Sequence, residues 1–203
     1  MTSAISVTGA ALIPTSSQTV GPFVEIGCKY LGTDRVAAPG PGMLDVTVRG
    51  RVLDGDGEQV PDYMLEIWQS VIPTAGKALD GQRSFRRFAT QDDHPGRRAT
   101  AVAFARVMPL ADGSFAFHTA YDPSHGAAHL AMLVFMRGLL KPLHTRIYFP
   151  GDARNDTDPV LALVPPDRRA TLVANRDSRV DGSHEFEWNI VLQGANETVF
   201  FEW

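Results

Sequence analysis

The sequence predicts a mostly-β chain: an antiparallel β-sandwich with an extended N-terminal arm and one short helix. Three observations carry that prediction. Short runs alternate apolar and polar residues with a period of two, Gly-, Asp- and Pro-bearing turns separate them, and a single tract, 158–174, has the chemistry of a helix start. With 203 residues, 44% of them hydrophobic, the chain is long enough to bury one core.

Residues 1–42 are rich in Gly, Pro, Ser and Thr, end in the linker 37–42 and hold no periodic element. They read as an arm and linker, either disordered or wrapped over a partner surface, and 43–203 as the sandwich domain; the resemblance described below favours contact with a partner chain. Leu44, Val46, Val48 and Val52 alternate up to Asp54-Gly55-Asp56-Gly57, a tight-turn or hairpin signal. Tyr63 to Gln69 forms the next strand, with Leu65 and Ile67 opposing Met64, Glu66 and Trp68. An irregular excursion over 70–100 carries Arg83, Arg86, Arg87, Arg97 and Arg98, which read as a solvated or interface surface. Val102 to Leu110 and Phe115 to Thr119 flank the turn Ala111-Asp112-Gly113-Ser114.

The longest apolar block, 129–149, reads as two strands joined by a short Gly/Pro-bearing connection. In the first, both sides are almost wholly apolar, so a central strand covered on both faces is expected. The second places Leu143, Thr145, Ile147 and Phe149 on one face and His144, Arg146 and Tyr148 on the other. Pro165-Pro166-Asp167 offers a helix start continued by Arg168 to Ala174. Phe186, Trp188, Ile190 and Leu192 alternate as one strand, and Thr198 to Trp203 reads as a last one.

A net charge of −4 with interspersed signs gives no reason to expect nucleic acid or an anionic membrane as partner. The lone Cys28 leaves no intrachain disulfide and no multi-Cys zinc site, which suits a reducing cytoplasm. The start MTSAISVTGAALIP is a poor secretory signal, and no apolar run reaches the roughly 18 residues that span a bilayer.

The candidates for chemistry are sparse. Of His94, His118, His125, His129, His144 and His184, only His125 and His129 are near neighbours, and a metal site needs two or three convergent ligands. On the strand face of His129, the position two residues on is Ala131, a methyl group where a second imidazole would be needed. No Gly-rich phosphate loop, G-x-S-x-G or H-E-x-x-H is present. Taken alone, these residues make no complete catalytic set.

TSSQTVGPF (15–23), RGRVLDGDGEQVPDYMLEIWQ (49–69), AAHLAMLVFMRGLLKPLHTRIYFPGD (127–152), DPVLALVPPDRRATLVA (158–174) and IVLQGANETVFFEW (190–203) together resemble the intradiol ring-cleavage dioxygenases, in this order and over most of the chain except 70–105. The resemblance is to the alpha chains of two-chain members. It implies a β-sandwich and a homologous beta chain that pairs with this one as αβ protomers of a larger oligomer. It also implies a non-haem Fe3+ held by two Tyr and two His of the beta chain. The implied reaction opens protocatechuate with O2, between the hydroxyl-bearing carbons, to 3-carboxy-cis,cis-muconate.

Carried over residue by residue, the ligand pattern fails here. The His-x-His of iron-bearing chains falls on His129-Leu130-Ala131, leaving one vestigial ligand position. Gly76-Lys77-Ala78 stands where the first Tyr ligand belongs, and Tyr121 lies too close to His129 to match the second. This chain is therefore expected to hold no iron. The resemblance instead makes Thr19, Gly21, Pro22 and Arg137 lining residues of the partner's pocket. A guanidinium suits a catecholate that also carries a carboxylate. Two other readings stand beside it: a non-enzymatic β-sandwich binding or adhesion module, and a self-sufficient dioxygenase using relocated ligands such as Tyr121, His125 and His129.

Overall fold

A computed structural model describes residues 15–21, 23–71, 101–124, 129–176 and 184–202. The strands among these residues are β1 (Leu44–Gly50), β2 (Val52–Leu53), β3 (Tyr63–Val71), β4 (Ala101–Val107), β5 (Phe115–Tyr121), β6 (His129–Met136), β7 (Leu143–Tyr148), β8 (Asn175–Arg176), β9 (Glu185–Glu187) and β10 (Ile190–Val191). Two four-stranded sheets, ordered β5-β1-β9-β8 and β4-β3-β6-β7, and the pair β10-β2 build the expected sandwich.

The core is where the two sheets' alternate residues meet. Val46, Val48, Phe115, Phe117 and Phe186 come from one sheet, and Leu65, Ile67, Leu130, Met132, Val134 and Ile147 from the other. All but Phe186 are essentially inaccessible, as period-two strands with one inward face require. Gln69 stitches the layers: its amide donates to Ala120 O (2.7 Å) and its carbonyl accepts from the Thr119 hydroxyl, so both buried polar groups are satisfied.

The sandwich is not purely antiparallel. β9 runs parallel to β1 and β10 parallel to β2, and Thr47↔Glu185 and Val52↔Ile190 keep one common register. The alternating run 185–192 is thus a single ribbon companion to 47–53, interrupted where Asn189 Oδ1 rather than a backbone carbonyl accepts from Arg51 N at 2.9 Å. At that crossing Gly50 has no room for a side chain: a Cβ there would sit 1.8 Å from Trp188 O.

Other expectations are corrected. Asp54–Glu58 closes the expected tight turn, with Leu53 bridged antiparallel to Gln59, but the strand after it, β3, belongs to a different sheet from β2. Strand β6 is interior, between β3 and β7, yet it is fully covered on one face only; Ala131, Leu133 and Phe135 are half-buried. The first helix, α1 (Phe23–Cys28), followed by a 3-10 turn at Lys29–Leu31, lies in the arm where no element was expected. The α-helix expected after Pro165 instead precedes it. This second helix, α2 (Pro159–Leu163), is capped by the Asp158 carboxylate, which accepts from Val160 N and Leu161 N, and only a 3-10 turn (Arg169–Leu172) follows the prolines. Among the described residues of the final segment there is a single bridge, Phe201 to His144, and no strand. Among the described residues no helix is long and apolar enough to cross a membrane.

Candidate functional site

Strand β6 positions a candidate site at each end. At its C-terminal end the chain turns through Gly138, whose φ of 98° is left-handed. Here the arm returns: Thr19 Oγ1 accepts a hydrogen bond from Gly138 N at 2.9 Å. Arg137, the preceding residue, is mostly exposed, and its Nη2 lies 3.6 Å from Asp62 Oδ2, an ion pair outside hydrogen-bond length. Gly21 has a φ of 62° with open space where a Cβ would be, so its backbone is accessible. A contact between segments far apart in the chain thus sets Thr19 beside Gly138, the neighbour of Arg137, with Gly21 two residues further along the arm. Pro22 lies outside the described residues. Beyond α1 the arm is tied down again, where Thr33 N donates to Arg106 O at 2.7 Å, leaving Ile26 and Tyr30 exposed between the two anchors.

At the N-terminal end, antiparallel pairing sets His129 opposite Tyr148 and Ala131 opposite Arg146. All four share the face turned away from the core. Asp158, at the cap of α2, reaches into them. Its Oδ1 accepts from the Tyr148 hydroxyl at 3.0 Å, and Arg146 Nη1 stands 3.6 Å from the same oxygen. His129 Nδ1 lies 3.3 Å from Oδ2, a close polar contact that is poorly aligned as a hydrogen bond.

The electrostatics follow from burial. Burial first, and the Arg146 charge second, push His129 down to about 4 despite the pull of Asp158, so the imidazole is neutral at pH 7. Burial likewise lifts the Tyr148 phenol to about 12. Burial also acts to raise Asp158, but donors from Leu161 N and Tyr148, with His129 and Val160 N, outweigh it and hold the carboxyl below its usual range.

The unfolded chain binds a proton at His129 near pH 6.5 and the folded chain only near 4. Stability is therefore full above 6.5 and falls as pH drops through that window, by on the order of 2–3 kcal/mol. Urea unfolding between pH 7 and 4.5 should show the loss, and His129→Asn should flatten it; an equal slope in both proteins would contradict a buried neutral His129.

A ferric ion does not fit these residues. Ala131 supplies no donor, the one phenol present is kept protonated and hydrogen-bonded, and a guanidinium is already there. Tyr121, weighed as a relocated ligand, gives its hydroxyl hydrogen bond to Asp152, whose carboxylate also takes Arg154 Nε at 2.9 Å. That is a separate cluster with its own charge balance. His125 and Ala78, like the Arg-rich excursion and His94, lie outside the described residues. An open depression of about 620 Å³ lined by Pro150, Gly151, Val173, Asn175 and Arg176 contains none of the expected site residues.

Sequence reasoning missed Asp158 and the roles of Arg146 and Tyr148. The signal for the last two was present, because folding 129–149 as a hairpin pairs its first residue with its penultimate one. Asp158-Pro159 announces a helix cap, but nothing local announces that its carboxylate reaches the β6–β7 face.

A family profile described as Dioxygenase matches residues 33–194. The protocatechuate 3,4-dioxygenase alpha chain of Burkholderia cepacia is 38% identical over 93% of this chain and 96% of its own length. The beta chain of that name from the same organism is 28% identical over 75% of this chain and 66% of its own. Among solved structures, the dioxygenase domain of a dioxygenase carbohydrate-binding protein fusion from Streptomyces sp. SirexAA-E superposes with a TM-score of 0.50. It is 21% identical and covers 94% of this chain and 97% of that one.

Proposed function

The chain belongs to the intradiol ring-cleavage dioxygenase family, and from that membership we propose that it is the alpha-type subunit of a protocatechuate 3,4-dioxygenase. It works with a homologous beta-type chain as αβ protomers of a larger oligomer, in the cytoplasm. The partner holds the non-haem Fe3+, and the complex opens protocatechuate with O2 to 3-carboxy-cis,cis-muconate. One observation supports the division of labour: around His129 a methyl and a guanidinium stand where further ligands would be required.

The experiment is purification of this chain alone and with its beta-type partner. The complex should contain iron and consume O2 with protocatechuate, and the isolated chain should do neither. Stoichiometric iron and turnover in the isolated chain would overturn the reading.

This chain's contribution to the partner's pocket is the edge made by Thr19, Gly21, Pro22 and Arg137. The bound catecholate carries negative charge on its hydroxyl oxygens and on its carboxylate, and Arg137, mostly exposed and paired with Asp62 at 3.6 Å, is placed to attract or orient it. In the complex, Arg137→Ala should lower kcat/KM by on the order of tenfold, with Arg137→Lys intermediate, measured by O2 uptake. Unchanged kinetics would reduce Arg137 to the partner of Asp62.

A further inference from the structure

The pairing of β3 with β6 ends at Tyr63↔Met136, and one step further along the same register Asp62 comes to stand across from Arg137. By strand alternation both belong to the face turned away from the core, where Met64 and Phe135 are the next pair. Asp62 Oδ2 is 3.6 Å from Arg137 Nη2, and the carboxylate side chain is 23% exposed against 63% for the arginine. The backbone of Asp62 is the firmer of the two. Pro61 before it has a fixed φ, and Tyr63 after it is buried and donates its hydroxyl hydrogen to Gly113 O at 2.9 Å. Arg137 is a long side chain on the residue before a left-handed turn glycine, at the corner that Thr19 reaches through Gly138 N.

Another cross-strand pair on the same face shows how a structural ion pair is built here. Arg106 Nε donates to Glu66 Oε1 at 2.7 Å, Glu66 is buried, and the guanidinium lies 5.3 Å from the centre of the Phe104 ring. Asp62, by contrast, attracts Arg137 from beyond hydrogen-bond length, so the pair itself occupies none of the guanidinium's N–H donors. A loose arginine gives up rotamer freedom when it takes an anion, and a fixed counter-charge that narrows its rotamers beforehand lowers that cost. We propose that Asp62 is a positioning residue of the reaction, which holds the Arg137 guanidinium ready for the catecholate in the partner's pocket. This rests on the reading of Arg137 as a lining residue of that pocket. The Asp62 charge also repels the anion, but it does so across the width of the guanidinium, whereas the attraction acts at contact distance and prevails.

O2 uptake with protocatechuate is measured on the complex with the beta-type partner, for wild type, Asp62→Asn, Asp62→Glu, Arg137→Ala and Asp62→Asn/Arg137→Ala. Asp62→Asn keeps the shape and removes the charge. It should raise KM about threefold and leave kcat unchanged, the size of the effect being limited by the weakness of an exposed ion pair. Asp62→Glu restores the charge and should bring KM back towards wild type. On the Arg137→Ala background the Asp62→Asn change should do nothing more, because Asp62 acts only through Arg137. A residue that served the turn alone would cost as much on either background, so an equal loss on both overturns the proposal. An unchanged KM in Asp62→Asn, with Arg137→Ala still impaired, overturns it as well. So does a lowered KM, which would make Asp62 a competitor of the substrate for the guanidinium. Wild-type kinetics in Arg137→Ala refute the underlying reading of Arg137, and the proposal with it. Should Asp62→Asn fail to assemble with the partner, Asp62→Ser takes its place in the same cycle.

Discussion

Asp158→Ala is expected to lower stability by about 3–5 kcal/mol, among the largest effects of any single side chain outside the core. One carboxylate serves three elements at once. It caps α2 through Val160 N (2.9 Å) and Leu161 N (2.8 Å), takes the hydroxyl of the fully buried Tyr148, and faces the Arg146 charge. Loss of a cap costs about 1 kcal/mol, and an abandoned buried hydroxyl about 1–3 kcal/mol. The rest comes from leaving Arg146, itself only 15% exposed, without its counter-charge. Asp158→Asn keeps the cap acceptor and removes only the charge, so it should fall between wild type and Asp158→Ala. Thermal unfolding should drop by roughly 10 °C for the alanine variant. A drop under about 2 °C would mean that the three elements hold together without their shared carboxylate.

Gly50→Ala should be worse still. The obstruction is a backbone carbonyl: Trp188 O would lie 1.8 Å from the new Cβ, and the Phe115 ring 2.7 Å from it. Overpacking against movable side chains costs about 1–3 kcal/mol, but here the strands themselves must part. Trp188 N donates to Arg49 O and Ile190 N to Arg51 O on either side of the clash, so separating the ribbon threatens both bonds. The expected result is insoluble protein, or a soluble form destabilised by more than about 4 kcal/mol in urea. Near-native stability of Gly50→Ala would show that the ribbon yields freely at this crossing.

The strands were legible because a half-buried sheet writes its burial into every second residue, as Leu130, Met132 and Val134 show. Their partners were not. The parallel match of 47–53 with 185–191 has no local signature, since pairing register depends on contacts that sequence distance hides. Helix α1, at six residues, is too short to display a 3.6-residue period. Helix α2 was misplaced by two competing signals of one kind. Asp158-Pro159 and Pro166-Asp167 both pair an acid with a proline, but only the first puts the acid before the proline, in the cap position. At the site, Thr19 reaches Gly138, the neighbour of Arg137, only through tertiary contact, whereas the reading of Ala131 as a lost ligand position rests on the family's His-x-His pattern and not on spacing alone.

The ribbon that joins β1–β2 to β9–β10 also bears on how the chain is made. During synthesis β1 can pair with β5 on one side, but its other edge stays open until β9 has emerged, and β2 waits for β10. Nearly the whole sandwich must leave the ribosome before its first strand is enclosed. Such long-range closure makes folding slow and leaves an unpaired strand edge available to neighbouring chains. Nascent chains stalled before residue 185 should therefore be the aggregation-prone species.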